Sequence, residues 1–389
     1  MVDFNNTEVA FKPRSNRQLK KAYWLFRLVA SKSMVGLGKY VTNFAMRMGL
    51  PIREAVKQTV YDQFVGGETI DECERIIDHL YQYGVYSLLD FSVEGKTSEI
   101  DFDYTKEKIK ETICFAAEHE AVPFSVFKVT GIARFELLEK VSSGKMLTYE
   151  ETEEWERVIE RVRQICQEGY QQGVNIFIDA EETWIQQAID DMAEEMMRTF
   201  NGERAAVVNT LQMYRADRLE FLKYSLEQAR RDNFFLGVKL VRGAYMEKER
   251  LRARDMGYDS PIQPDKESTD RDYDAAVKFC FDNRDRISVV AGSHNEESAQ
   301  KLVEMIENSE VERNDRRVWF SQLFGMSDNL SFNLAADGYN VVKYLPFGPV
   351  RETLPYLIRR AEENTSAGGQ TGRELNLIQK ELKRRGVEQ

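Results

Sequence analysis

The sequence predicts an α/β protein, a (β/α)8 TIM-type barrel with an N-terminal helical arm, and three observations carry that expectation. Eight short runs of apolar, β-branched and aromatic residues recur along the chain, amphipathic charged stretches separate them, and polar residues gather toward the runs' C-terminal ends. The runs are near-continuous in apolar character, as strands buried on both faces of a parallel sheet must be, and eight is the number that closes this barrel. An open doubly wound sheet is the competing fold. With 389 residues, 42% hydrophobic and 31% charged, the chain can bury a large core without disulfides or metals.

Residues 1–67 read as a basic helical arm. Residues 1–60 hold 11 Lys/Arg against 3 Asp/Glu, so a basic arm precedes an acidic body. Lys20, Lys21, Arg27, Lys32 and Lys39 stand beside Tyr23, Trp24 and Phe26, which suits packing on the barrel and also an anionic membrane surface. Residues 68–364 form the barrel, with strand runs VYSLLDFSV (85–93), VPFSVFKVT (122–130), VNIFIDAE (174–181), AVVNTLQMY (206–214), FLGVKLVRGAY (235–245), ISVVAGSHN (287–295), RVWFSQLFGM (317–326) and NVVKYLPFG (340–348). Between the second and third, Trp155, Val158, Ile159, Val162, Ile165 and Cys166 recur at helical spacing. Residues 365–389 read as a hinge, TSAGGQTG, and a short basic helix, RELNLIQKELKRR.

A net charge of −11 argues against nucleic-acid binding, which needs a basic excess to displace counterions. Four scattered cysteines without a C-x-x-C pair signal neither zinc nor a disulfide framework. The longest stretch free of Asp, Glu, Lys and Arg is His79 to Leu89, too short to span a bilayer, and the N-terminus lacks a signal-peptide pattern, so the expected location is cytoplasmic. There is no G-x-G-x-x-G after the first strand, no Walker loop, and only three histidines in no ligating arrangement. Lys, Arg, Tyr and carboxylates must carry the chemistry.

Lys128 ends an apolar strand, where a lysine is either a Schiff-base nucleophile, as in an aldolase barrel, a charged anchor, or a snorkelling side chain. Asp179 follows Ile176 and Ile178, and burying its carboxylate requires a partner; Lys128, Lys239, Arg242 and the pair Arg359 and Arg360 are candidates, and one strand-end salt-bridge network would also explain the set. In KLVRGAY (239–245), Gly243 permits close approach of a ligand to backbone, though taken alone a glycine after a strand is better read as a simple turn. In YLPFGPVRETLPYLIRRAEEN (344–364), Tyr356, Arg359, Arg360 and Glu363 share one side of a helix. Two adjacent arginines can clamp a carboxylate, Glu363 can hold Arg359, and Tyr344 and Tyr356 can supply an apolar wall.

Taken together, KLVRGAYMEKER, IDAEE, SHNEES, QLFGMSD, GGETIDEC and the Arg-Arg segment resemble the monofunctional proline dehydrogenases, in register over roughly residues 60–364. The resemblance implies a (β/α)8 barrel holding FAD noncovalently and oxidising L-proline to Δ1-pyrroline-5-carboxylate by hydride transfer, with electrons passed to a membrane quinone. It implies Arg359 and Arg360 on the proline carboxylate, Lys128 as a third cation, Asp179 as a charge partner, and Tyr245, Leu323, Tyr344 and Tyr356 around the ring. For FAD it implies Ala180 and Gln212 at the isoalloxazine, Lys239, Val241, Arg242, Gly243 and Ala244 along the fifth strand, and Ser293, His294 and Asn295 toward the adenosine end. Met246 stands where bifunctional relatives commonly have Trp. A quinone acceptor would give the basic arm a role in peripheral membrane association, and a separate pyrroline-5-carboxylate dehydrogenase would take the product. Hydroxyproline dehydrogenase is the nearest rival, disfavoured by the bulk of Tyr344, and a noncatalytic carboxylate-binding barrel is another.

Overall fold

The computed structural model describes residues 2–30, 53–93, 95–366 and 370–387. Its strands are β1 (Val85–Phe91), β2 (Phe124–Phe127), β3 (Asn175–Ile178), β4 (Val207–Gln212), β5 (Leu236–Val241), β6 (Ile287–Gly292), β7 (Val318–Leu323) and β8 (Val341–Phe347), closed into a barrel in chain order. From β1 to β7 each strand pairs in parallel with the next. Every strand falls within its expected run. Helices follow the strands, and none among the described residues is long and apolar enough to cross a membrane.

By internal packing the chain falls into two units, Leu88–Ser321 and a discontinuous one made of Met1–Ser87 with Gln322–Gln389. In the first, Phe124, Phe177 and Trp319 fill the barrel interior, with Phe124 4.8 Å from each of the other ring centroids. Each such burial contributes about 1.5–3 kcal/mol. The helix Tyr149–Gln172 shows how local sequence sets an element. Thr148 and Glu151 form a reciprocal capping box, and Gly173 stops the helix in a left-handed turn with φ 75°. Val158, Val162, Ile165 and Cys166 are buried, while Trp155 and Ile159 are half-buried at the edge of the stripe.

In the discontinuous unit the helix Asn16–Val29, capped by Ser15 and Gln18, buries Leu19, Ala22, Tyr23 and Phe26. Their apolar cluster includes Leu377, Ile378 and Leu382 of the helix Gln370–Arg384 and Tyr356 and Leu357 of the helix Val350–Ser366. The arm and the C-terminal helix, read from sequence as separate appendages, therefore share one core. On the outward face Trp24 is 54% exposed, with the Arg27 guanidinium 5.3 Å above its ring. Lys32 and Lys39 lie outside the described residues. The helices run to Ser366 and resume at Gln370, so the hinge composition extends into helix on both sides.

Candidate functional site

Lys128 and Asp179 directly follow β2 and β3, and Lys239 is a mid-strand residue of β5 rather than a strand-end one. The structure brings these three together with Asp90 of β1. Lys128 Nζ lies 3.3 Å from Asp90 Oδ2 and 3.3 Å from Asp179 Oδ2. Lys239 Nζ donates to Asp179 Oδ1, toward which Thr210 Oγ1 also donates at 3.5 Å. Ser92 Oγ donates to Asp90. All four charged side chains are at most 10% exposed, so their desolvation is tolerable only because two cations face two anions. An ammonium held between two carboxylates offers no electron pair to a carbonyl, which weighs against Lys128 as a Schiff-base nucleophile.

The loop after β5 forms a second group in the same unit. Gly243 adopts φ 134°, and a Cβ there would lie 2.5 Å from the Tyr214 ring, so no other residue fits. Gln212 Nε2 donates to the Glu181 carbonyl at 2.7 Å while its Oε1 accepts from Ala244 N at 3.1 Å, tying the ends of β3, β4 and β5 together. Arg242 donates to Asp270 at 2.6 Å, to Ser293 Oγ at 2.7 Å and to Ser298 Oγ at 2.9 Å, and stacks 4.3 Å from the Tyr273 ring centre. Burial alone would raise the Asp270 carboxyl, but Lys266 and Arg242 hold it below the usual carboxylate range. A guanidinium fixed on four sides, beside a hydroxyl and a glycine-opened backbone, is a fitting anchor for the phosphates of a dinucleotide. Ala180 is buried, and Val241, Tyr245, Ser293 and His294 are half-buried. The Asn295 side chain caps the helix Glu296–Glu307 by accepting from Ser298 N at 3.1 Å, so it already serves the backbone.

In the discontinuous unit, Gly348 (φ 139°) turns the chain from β8 into the helix Val350–Ser366, and its carbonyl accepts from Tyr61 Oη at 2.7 Å. Tyr356 is 5% and Arg360 7% exposed, Arg359 is half-buried, and the Arg360 guanidinium lies 5.2 Å from the Tyr356 ring centre. The arginine pair is therefore not a solvated helix face. Glu363 is on the same helix, with its side chain outside the described residues. Tyr344 is buried mid-strand in β8, and half-buried Leu323 ends β7.

Sequence reasoning missed Asp90, Glu181, Asp270 and Ser298. Asp90 carried the signal that exposed Asp179, one carboxylate in an apolar run, but more apolar residues follow it. Glu181 accepts from Thr130 N at 3.0 Å and from the Thr130 hydroxyl, a role with no local signature. Asp270 and Ser298 sit on helices whose charged faces look solvated in sequence. Among the described residues no cluster of His, Cys, Asp or Glu could hold a metal ion.

Comparison with known proteins gives the family. The proline dehydrogenase family model matches residues 73–373. The chain is 36% identical over 83% of its length to the carbapenem antibiotics biosynthesis protein CarD of Pectobacterium carotovorum, covering 84% of that protein. It is 30% identical over 98% of its length to proline dehydrogenase 1, mitochondrial, of Dictyostelium discoideum, covering 74% of it, and 31% identical over 96% to hydroxyproline dehydrogenase of Xenopus laevis, covering 88%. Among solved structures, proline utilization A from Bdellovibrio bacteriovorus superposes with a TM-score of 0.71 at 20% identity over 92% of this chain, which spans 38% of that longer protein. The closed eight-stranded barrel and a family match spanning all eight of its strands lead to one conclusion: the chain belongs to the proline dehydrogenase family, whose enzymes oxidise proline.

Proposed function

We propose that the protein oxidises L-proline to Δ1-pyrroline-5-carboxylate with noncovalently bound FAD and delivers the electrons to a quinone, the first step of proline degradation. The observation that carries this reading is the nearly buried Arg360 stacked against Tyr356 beside Arg359, a paired guanidinium with an aromatic wall suited to a small, ring-bearing amino acid carboxylate. FAD supplies the two-electron acceptor that no side chain can provide. Arg359 and Arg360 bind the carboxylate, Glu363 orients Arg359, and Lys128 adds a third positive charge that Asp179 and Asp90 hold in place. Tyr245, Leu323, Tyr344 and Tyr356 enclose the ring and exclude water, so binding energy is spent on orientation. Ala180, Gln212, Lys239, Val241, Arg242, Gly243, Ala244, Ser293, His294 and Asn295 hold the cofactor, with Arg242 on its phosphates.

The hydroxyproline dehydrogenase relative favours one alternative substrate, trans-4-hydroxy-L-proline. An anaerobic absorbance spectrum before and after each imino acid decides between them. Bleaching of the flavin bands by L-proline, with little change from hydroxyproline, is the expected result. Bound flavin that neither imino acid bleaches would reject the substrate, and protein without flavin would reject the cofactor. A pyrroline-5-carboxylate dehydrogenase then consumes the product.

The exposed Trp24, stacked under Arg27 on a helix that also carries Lys20 and Lys21, supports peripheral association with the membrane that holds the quinone. The full chain should cosediment with anionic vesicles, and Trp24→Ala combined with Arg27→Ala should weaken binding about tenfold. Equal partitioning of both proteins would sink the idea.

A further inference from the structure

The segment from Leu323 to Asp328, which joins β7 to the helix Asp328–Ala336, is tightly constrained. Gly325 has φ 79°, and a Cβ on it would lie 1.9 Å from the Gln63 carbonyl oxygen. Ser327 has φ 51° and ψ 44°, a left-handed conformation that a residue with a side chain adopts only when its surroundings enforce it. The enforcing groups are polar and buried. Gln63 Nε2 donates to Gly325 O at 2.7 Å, Lys343 Nζ donates to Met326 O, and the Glu374 carboxylate accepts from Ser327 N. Asp328 receives Arg14 at 3.0 Å and Lys343 at 3.1 Å.

These contacts come from four separate parts of the chain. Arg14 precedes the helix Asn16–Val29, Gln63 is in the short helix Asp62–Phe64, Lys343 is on β8 and Glu374 is on the helix Gln370–Arg384. Lys343 is fully buried, and so is Glu374 to within 5%. The segment begins at Leu323, and strand alternation puts Tyr344 on the face of β8 opposite Lys343. Phe324 N donates to Tyr344 O at 2.8 Å, which fixes the two backbones against each other. The charges thus stand behind the two side chains assigned to the substrate ring. Nothing in the assigned chemistry uses them.

We propose that Lys343, Asp328 and Glu374, bridged through the strained turn at Ser327, are positioning residues that set Leu323 and Tyr344 against the substrate ring, making the C-terminal helix a determinant of ring recognition. The inference rests on the proline-oxidising reading above. It separates two kinds of binding energy: contact with the carboxylate, which the arginine pair supplies, and contact with the ring, which depends on where Leu323 and Tyr344 stand. Releasing Ser327 from Glu374 loosens only the second.

The test uses the full-length flavoprotein with Glu374→Ala and Glu374→Gln. Two ligands are compared: L-proline as substrate, and N-methylglycine as a competitive inhibitor that keeps the carboxylate and secondary amine but has no ring. Glu374→Ala is expected to raise KM for L-proline about tenfold while leaving the N-methylglycine inhibition constant and flavin content within about twofold of wild type. Glu374→Gln, which retains an acceptor oxygen for Ser327 N, restores KM. Should the alanine variant not accumulate folded, Glu374→Asp, one methylene short of Ser327, is expected to show the same split. A lowered melting temperature with unchanged KM, or a parallel rise in both constants, overturns the positioning role. Wild-type protein that leaves L-proline unoxidised overturns the functional reading, and this one with it.

Discussion

Asp179→Ala is expected to destabilise the fold by about 3–5 kcal/mol, because removing one member of a buried ion cluster strands its partners. Without Asp179, Lys239 loses the carboxylate it donates to, and Lys128 loses one of the two carboxylates that face it at 3.3 Å. The measurement is chemical denaturation of the purified protein, comparing midpoints at an unchanged m-value. Replacing Lys239 as well, in the double variant Asp179→Ala with Lys239→Met, removes the stranded charge and should recover a large part of the loss. The coupling between the two positions is expected at up to about 3 kcal/mol, the upper range for residues in direct contact. A single variant costing less than about 1 kcal/mol would mean the cluster behaves like a solvated surface pair, and the closed electrostatic balance at the ends of β1, β2 and β3 would be refuted.

Glu374 supplies the second large effect, read through pH. Burial and the neighbouring Asp328 push its carboxyl up to about 7, against the opposing pull of the Ser327 N–H, Lys343 and Arg14. Asp328 moves the other way: burial works to raise it, but Arg14 and Lys343 hold it below its ordinary value. Burial pulls the Lys343 ammonium down despite Asp328 and Glu374. Because the folded-state value of Glu374 lies above the unfolded one, the native protein binds the extra proton. Its contribution to stability is therefore fully present below pH 4.5, is lost as pH rises toward 7, and the loss is complete above that. The span corresponds to about 3 kcal/mol. Glu374→Gln mimics the protonated carboxyl at every pH, so its stability relative to wild type should grow between pH 5 and pH 7 and then level off. A difference that stays flat across that window would show that Glu374 ionises in the folded protein as it does in water.

The barrel was legible because strands buried on both faces leave near-continuous apolar runs, and a turn or helix start must interrupt each one. Asp179, Lys128 and Lys239 stood out as charges that such runs cannot carry without partners. Lys343 sends the same signal from the middle of NVVKYLPFG, yet sequence alone gave no means to find its partners. Arg14, Asp328 and Glu374 each look like an ordinary surface charge, and only the folded chain shows them converging. Arg242 stood out as a candidate partner for Asp179, but it pairs with Asp270 instead, and Asp270 and Ser298 lie on helices whose charged faces resemble solvated ones. The shared core of the two terminal segments was invisible for the same reason: helical period reveals that a face is buried, never which face covers it.

The pairing of Arg14 with Asp328, 314 residues apart, also bears on how the protein is made. At about 5–20 residues per second, the arm leaves the ribosome roughly 15 to 60 s before the aspartate that receives its guanidinium. During that interval Leu19, Tyr23 and Phe26 have no Leu377, Ile378 or Leu382 to cover them. The nascent arm is therefore a natural client for a chaperone, and the discontinuous unit can assemble only late in synthesis.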